Sequence, residues 1–272
     1  MKHLIVNADD FNTDKERSLG ILACAKEGIL TSTTVLANLP WEKETLSELL
    51  SLPQLACGCH LNLTKGKPIT SGATLVDEDG NFYAKELAWD RALCGEYDLQ
   101  EVKAEFIAQI ENCLTAGLKL HHVDGNNHIH VFPGICNVVT EVLRKYSIKA
   151  VRLPCERSID GRQESTKQEL INCLAAEALT VFRQADLAFT DFFFGMVYPS
   201  MDDVASLVHF IENLPHGFTE LMCHPGFVGP KDNPFSTVKR ENELRTLCHP
   251  KVGQAIKDKG VELVTYEALV KE

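Results

Sequence analysis

Short β-rich runs alternate with longer helical patterns from one end of this chain to the other, and that alternation commits it to βα units built on parallel strands. The candidate strands are 3–8, 33–37, 55–61, 120–124, 150–153, 189–194, 218–223 and 261–265. Seven or eight parallel strands are what a TIM-barrel-like (β/α) barrel needs, so the expected fold is α/β of that kind. A length of 272 residues suits one such barrel. No internal repeat, heptad array, low-complexity tract or composition break interrupts it, and one (β/α)-barrel domain over 1–272 is expected.

Local signals refine the pattern. Leu19, Leu22, Ala23, Lys26 and Ile29 trace a mostly apolar helical face after the first strand, and Gly28 is placed to end that helix. Thr13 and Glu16 have capping-box spacing, and Asn12 before them tolerates a left-handed backbone. The stretch 64–87 carries Gly66, Pro68, Gly72, Asp77, Asp79, Gly80 and Asn81, so it reads as a long loop, the kind that serves as a functional lid. A second loop, 226–237, holds Gly229, Pro230 and Pro234 after the seventh strand.

Charge and composition exclude some partners. A net charge of -11 disfavours a surface that tracks nucleic-acid phosphates. Leu4-Ile5-Val6 is too short an apolar run to begin a signal peptide or a membrane span, so a cytoplasmic location is expected. The 10 cysteines are scattered through core-like segments without a Cys-x-x-Cys pair, consistent with reduced, packed thiols.

The polar residues that matter fall where strands give way to loops. Asp9 and Asp10 end the first strand, His60 and Asn62 the third, and Arg152 the fifth; Asp124, Asn126, His128 and His130 follow the fourth, and His224 the seventh. In a (β/α) barrel those ends converge on the face that carries active sites. Adjacent carboxylates can act as solvated turn residues, or can divide labour between holding a cation and taking a proton from water. His60 reads either as a packed core histidine or as a neutral imidazole ligand. The densest signal runs from His121 to His130, where Asp124 and Asn126 offer oxygens and His128 and His130 stand two apart. Arg152, set in an apolar strand, needs a carboxylate partner, or it positions a catalytic Asp or the substrate. His224 reads as a polar turn residue or as a general acid.

Taken together, the chain resembles the YdjC-like carbohydrate deacetylases. The resemblance rests on Asn7-Ala8-Asp9-Asp10-Phe11, Thr31-Ser32-Thr33-Thr34, Gly58-Cys59-His60-Leu61-Asn62-Leu63, His122-Val123-Asp124-Gly125 through His128-Ile129-His130, Arg152-Leu153-Pro154 and Glu220-Leu221-Met222-Cys223-His224-Pro225-Gly226. It implies a metal-dependent hydrolase that removes the acetyl group from an N-acetylated sugar, using a divalent ion, Mg2+ or Zn2+. By the resemblance Asp9 is the general base, and Asp10 and His60 are metal ligands. The third ligand is ordinarily a histidine at the position held here by Asn126, so Asn126 through its oxygen, or His128 in its place, is expected to complete the set. Asn12 also departs from the glycine often found there.

The expected mechanism follows. The ion polarises the acetyl carbonyl and activates a water, Asp9 takes its proton, His224 protonates the departing amine, and Arg152 orients Asp9 or a substrate oxygen. Asn62, Asp124 and His130 meet the substrate or support the ligands. With only Trp41 and Trp89, a short oligosaccharide or glycoconjugate is expected rather than a polymer. The expected partners are that sugar and, as a homodimer, a second copy of the chain. Two other readings remain: a metal-dependent hydrolase of another bond, and a sugar-binding homologue whose hydrolysis is impaired because Asn126 replaces a histidine.

Overall fold

A computed structural model describes residues 1–156, 165–231, 233 and 235–270. Pro234, one of the loop residues singled out above, lies outside them. In chain order the elements are β1 (Lys2–Phe11), α1 (Lys15–Glu27), β2 (Ser32–Val35), α2 (Lys43–Leu50), β3 (Ala56–Leu61), α3 (Lys85–Leu93), α4 (Leu99–Thr115) and β4 (Leu120–Gly125). A 3-10 segment, Asn126–Val131, follows, then α5 (Ile135–Lys145), β5 (Ala150–Val151), α6 (Thr166–Gln184), β6 (Phe192–Phe194), α7 (Val204–Glu212), β7 (Gly217–Cys223), α8 (Val238–Leu247), α9 (Pro250–Asp258), β8 (Val261–Leu263) and α10 (Glu267–Val270). All eight expected strands are present, and the fold is α/β and TIM-barrel-like. The strands read as near-continuous apolar runs because parallel strands are covered on both faces: Leu4, Ile5, Val6, Val123 and Val151 are fully buried.

The chain divides into two compact units, Met1–Thr34 with Trp41–Cys57 and Thr190–Glu272, and Val35–Pro40 with Gly58–Phe189. In the first, β1 is the long central strand. It pairs in parallel with β7 from Lys2↔Gly217 to Ala8↔Cys223, and with β8 from Lys2↔Val261 to Leu4↔Leu263. The outer strand β6 pairs with β7 from Phe192↔Thr219 to Phe194↔Leu221. Two expectations about α1 change here. Its N-cap is Asp14, whose side chain accepts from Arg17 N at 2.8 Å, and not Thr13. Thr13 instead closes a tight turn, its N–H reaching Asp10 O at 3.1 Å, which delays the helix start. The buried face is shared only in part: Leu22 and Ile29 are buried as expected, but Arg17, Gly20, Ile21 and Cys24 are buried with them, while Lys26 is exposed and Leu19 and Ala23 are only half-buried. Gly20 explains the rotation, because a Cβ there would stand 2.3 Å from Gly226 Cα, so the helix backbone rests directly on the loop after β7. Gly28 ends α1 as expected, its N–H returning to Cys24 O at 2.8 Å.

In the second unit β3 neighbours β4, and β4 pairs in parallel with β5 at His122↔Ala150 and Val123↔Val151. The stretch after β3 is a long loop up to α3, as expected, with a short antiparallel bridge at Val76↔Phe82. It is stitched to α4 by a column of polar residues at helical spacing. Glu101 accepts from Ala73 N and Thr74 N, and Glu105 accepts from Ile69 N, Thr70 N and Thr70 Oγ1. These hydrogen bonds hold Glu101 below the usual carboxylate range, those from Thr74 most strongly.

Candidate active site

The parallel registers decide what meets at the strand ends. In the second unit, β4 and β5 pair at Val123↔Val151, so Asp124 and Arg152 stand one step beyond, side by side. Arg152 Nη1 lies 2.8 Å from Asp124 Oδ2, and both side chains are fully buried. The other carboxylate oxygen, Oδ1, lies 2.6 Å from His60 Nδ1 at the end of β3. A buried Arg152 without a carboxylate would be strongly destabilising, and Asp124 supplies it. Because an ionised carboxylate only accepts, His60 carries its proton on Nδ1, which makes Nε2 the ring nitrogen whose chemistry suits a cation. Donor chemistry on this unit therefore fits a divalent ion.

Two residues further along, the same spacing recurs. Asn126 Nδ2 donates to Asn62 Oδ1 at 3.2 Å, again across 64 positions of sequence, as for His60 and Asp124. The chain then turns sharply: Asn127 and His128 both adopt left-handed conformations, φ 52° and φ 59°. Asn127 O accepts from Trp89 Nε1 at 3.0 Å, and its side chain donates to Thr64 Oγ1 at 2.9 Å, which hold the turn. His128 is half-buried. His130 is fully buried, and its Nε2 donates to Arg152 O at 3.0 Å, since a carbonyl can only accept. Burial pushes its pKa down to about 4, so it is a neutral packing residue at pH 7. Gly58 is required beneath this layer, since a Cβ would stand 2.6 Å from the His122 ring.

In the first unit the Ala8↔Cys223 pairing brings Asp9 and His224 to the same level. His224 Nε2 lies 4.0 Å from Asp9 Oδ2. Asp9 is buried, and its Oδ1 accepts from Asn7 Nδ2 at 2.8 Å; Asn7 is held in turn by Ser32 Oγ, which donates to its Oδ1 at 2.7 Å. Burial of the His224 ring lowers its pKa below the ordinary imidazole value, outweighing the attraction of Asp9. Its backbone N–H is fixed by the buried Glu243, which also pairs with Arg240. A cavity of about 230 Å³ in this unit is walled by His224, Met196, Pro199, Met222, Lys239 and Arg240 among others. Asp10, left-handed at φ 71°, meets Arg17 Nη1 at 3.1 Å.

Of the six non-glycine residues with positive φ among the described residues, Asp10, Asn12, Asn127 and His128 belong to these strand-end segments. Such backbone is costly for side chains other than Gly and collects at functional sites. Sequence reasoning had anticipated it for Asn12 alone. Asn7 enters the sequence reading only within a motif, although the two-residue period puts it on the face of Asp9; Arg17 on α1, and Glu105 and Gln109 four apart on α4, are further buried polar groups that the sequence reading does not single out.

Comparison with known proteins adds to this geometry. The family model described as YdjC-like protein matches residues 3–258. A carbohydrate deacetylase of Vibrio cholerae is 31% identical over 271 residues, covering 98% of this chain and 96% of that one. A carbohydrate deacetylase of Thermoanaerobacter pseudethanolicus is 30% identical over 274 residues, covering 99% and 100%. A human carbohydrate deacetylase is 30% identical, with 98% and 90% covered. Among solved structures, an Enterococcus faecalis protein named for cellobiose-phosphate cleavage superposes with a TM-score of 0.81 at 27% identity, covering 98% of each chain.

Proposed function

This chain belongs to the YdjC-like protein family, and from that premise we propose that it is a carbohydrate deacetylase, a hydrolase that removes the acetyl group from an N-acetylated sugar. Relatives named carbohydrate deacetylase at about 30% identity over nearly their whole length support the sugar and the reaction. The observation that carries the reading is the His60–Asp124 hydrogen bond, which sets the tautomer of a buried imidazole at the strand ends in the way a ligand histidine needs.

The reading includes a divalent cation, Mg2+ or Zn2+, held by Asp10, His60 and either Asn126 or His128. When bound, it supplies a Lewis acid that polarises the acetyl carbonyl and acidifies water. Asp9, oriented by Asn7, takes the proton of the attacking water. His224, whose burial lowers its pKa from the ordinary imidazole value, hands a proton to the departing sugar amine. Arg152 holds Asp124, which holds His60, so its contribution is made through the carboxylate it neutralises. Asn62 and His130, both fully buried, support this layer from behind. A short oligosaccharide or glycoconjugate, a cytoplasmic location and a homodimer complete the proposal. No helix among the described residues is long and apolar enough to cross a membrane, and none of the ten cysteines is in a disulfide.

The test is acetate release from a panel of N-acetylated mono- and oligosaccharides, with phosphate and other amide products measured alongside, before and after chelation and after adding back Mg2+ or Zn2+. Chelator-sensitive acetate release is expected. Phosphate or another acid in its place would move the protein to a different hydrolytic class. Sugar binding without turnover, with turnover appearing in Asn126→His, would make it an impaired homologue.

A further inference from the structure

An amide side chain has one end that accepts and one that donates, so the end it turns outward decides whether it can hold a cation. For Asn126 that choice is dictated by main-chain groups, whose roles cannot be exchanged. Lys65 O only accepts, so the atom of Asn62 that lies 2.7 Å from it is Nδ2. Thr64 N only donates, so the atom of Asn62 that lies 2.9 Å from it is Oδ1. With Asn62 set in this sense, its Oδ1 can receive only a donor from Asn126, which therefore presents Nδ2 at 3.2 Å and turns its own oxygen away. No hydrogen bond among the described residues reaches that oxygen.

The rest of the network stiffens the arrangement. Gln109 on α4 clasps the main chain of Asn62 from behind, accepting from Asn62 N at 2.9 Å and donating to Asn62 O at 2.8 Å. Glu105 accepts the same Gln109 Nε2 at 2.8 Å, which sets the sense of that amide too. In front, Asn38 Oδ1 accepts from Asn62 Nδ2 at 2.8 Å, while its own Nδ2 donates to Lys65 O and Lys67 O. Asn62 and Gln109 are fully buried, so water cannot substitute for the partners.

We propose that Asn62 is a positioning residue that aims the carbonyl oxygen of Asn126 outward, making position 126 a hard, neutral oxygen donor and biasing the centre toward Mg2+ or Mn2+ over Zn2+. Carbonyl oxygens suit hard cations, whereas the imidazole ordinarily found at this position suits zinc. The inference rests on the deacetylase reading, and adds to it which atom of Asn126 is offered and what holds it there.

Calorimetric titration of Mn2+ and of Zn2+ into metal-free protein tests it, using the wild type, Asn62→Ala, Asn126→Asp and the double variant. Asn62→Ala is expected to weaken Mn2+ binding about tenfold or more, the usual effect of removing a group that orients a ligand. In the Asn126→Asp background both ends of the side chain are oxygen and need no aiming, so there Asn62→Ala should change Mn2+ affinity by less than about threefold. An equal loss in both backgrounds, or none in the wild-type background, overturns the inference. Should Asn62→Ala lose its circular-dichroism signature, Asn126→His takes over: a rise of about tenfold or more in Zn2+ affinity relative to Mn2+ supports the bias, and an unchanged ratio overturns it. Wild-type protein that binds neither ion removes the metal-dependent deacetylase reading and this inference together, whereas wild-type binding that Asn62→Ala leaves intact removes this inference alone.

Discussion

His60 Nδ1 and Asp124 Oδ1 meet at 2.6 Å, with 3% of the first side chain and none of the second exposed. The contact joins two positions 64 residues apart and settles a chemical question. A histidine can present either nitrogen, and this hydrogen bond uses up Nδ1. The second oxygen of Asp124 is taken by Arg152, so the carboxylate is clamped on both sides and cannot turn.

Replacing Asp124 with Asn keeps the shape and removes the charge. Arg152 then loses the charge of the carboxylate it meets at 2.8 Å, and breaking a buried ion pair costs about 3–5 kcal/mol in comparable cases. His60 also loses the acceptor that sets its tautomer, which should weaken divalent-ion binding by about 10- to 100-fold. Urea unfolding and ion titration of the same preparation check both. A variant with wild-type stability and affinity would remove Asp124 from the role described.

Asp9 and Asp10 should separate cleanly. Asp9→Asn is expected to lower kcat for acetate release by about 10²-fold or more with ion affinity little changed, as for loss of a general base. Asp10→Asn is expected chiefly to weaken ion binding. Initial-rate kinetics beside ion titration distinguish them, and the reverse pattern would exchange the two assignments.

His130 predicts a pH dependence of stability. Burial holds its pKa at about 4, below the ordinary 6.5, so the unfolded chain takes up the proton first as pH falls. Stability from the neutral ring is therefore intact above pH 6.5 and is lost progressively down to about pH 4. A shift of that size corresponds to roughly 3 kcal/mol. Denaturant midpoints of wild type and His130→Gln across this range should converge toward the acid end; parallel curves would contradict the assignment.

Glu105 should govern the loop after β3. Ile69 N and Thr70 N donate to different oxygens of Glu105, so Glu105→Gln turns a donor toward one or the other. A loss of about 1–3 kcal/mol is expected for leaving buried groups unsatisfied. Hydrogen exchange at Ile69 and Thr70 should accelerate more than in the β1 core, and unchanged protection there would show that the loop is held by other contacts.

Local pattern and tertiary contact contributed differently. All eight strands fall where alternation places them, since a run such as Leu4-Ile5-Val6 has no low-energy fate except burial. The helix start is not legible in this way: capping-box spacing points to Thr13, and the turn from Thr13 N to Asp10 O moves the cap to Asp14. The buried face of α1 is legible at Leu22 and Ile29 but not at Gly20, which looks like a weak helix residue until the loop at Gly226 is seen lying against it.

The same division holds for the chemistry. One-dimensional pattern was enough to establish the class of fold, the strand-end positions of Asp9, His60, Asp124, Arg152 and His224, and the family, because hydrophobic periodicity and short motifs are properties of neighbours along the chain. Which carboxylate carries His60, which nitrogen that ring presents and which end of the Asn126 amide faces out were left to the folded molecule. Those answers depend on hydrogen-bond partners brought within 2.6 to 3.2 Å from 64 residues away, and no local rule encodes a distance between atoms so remote in sequence.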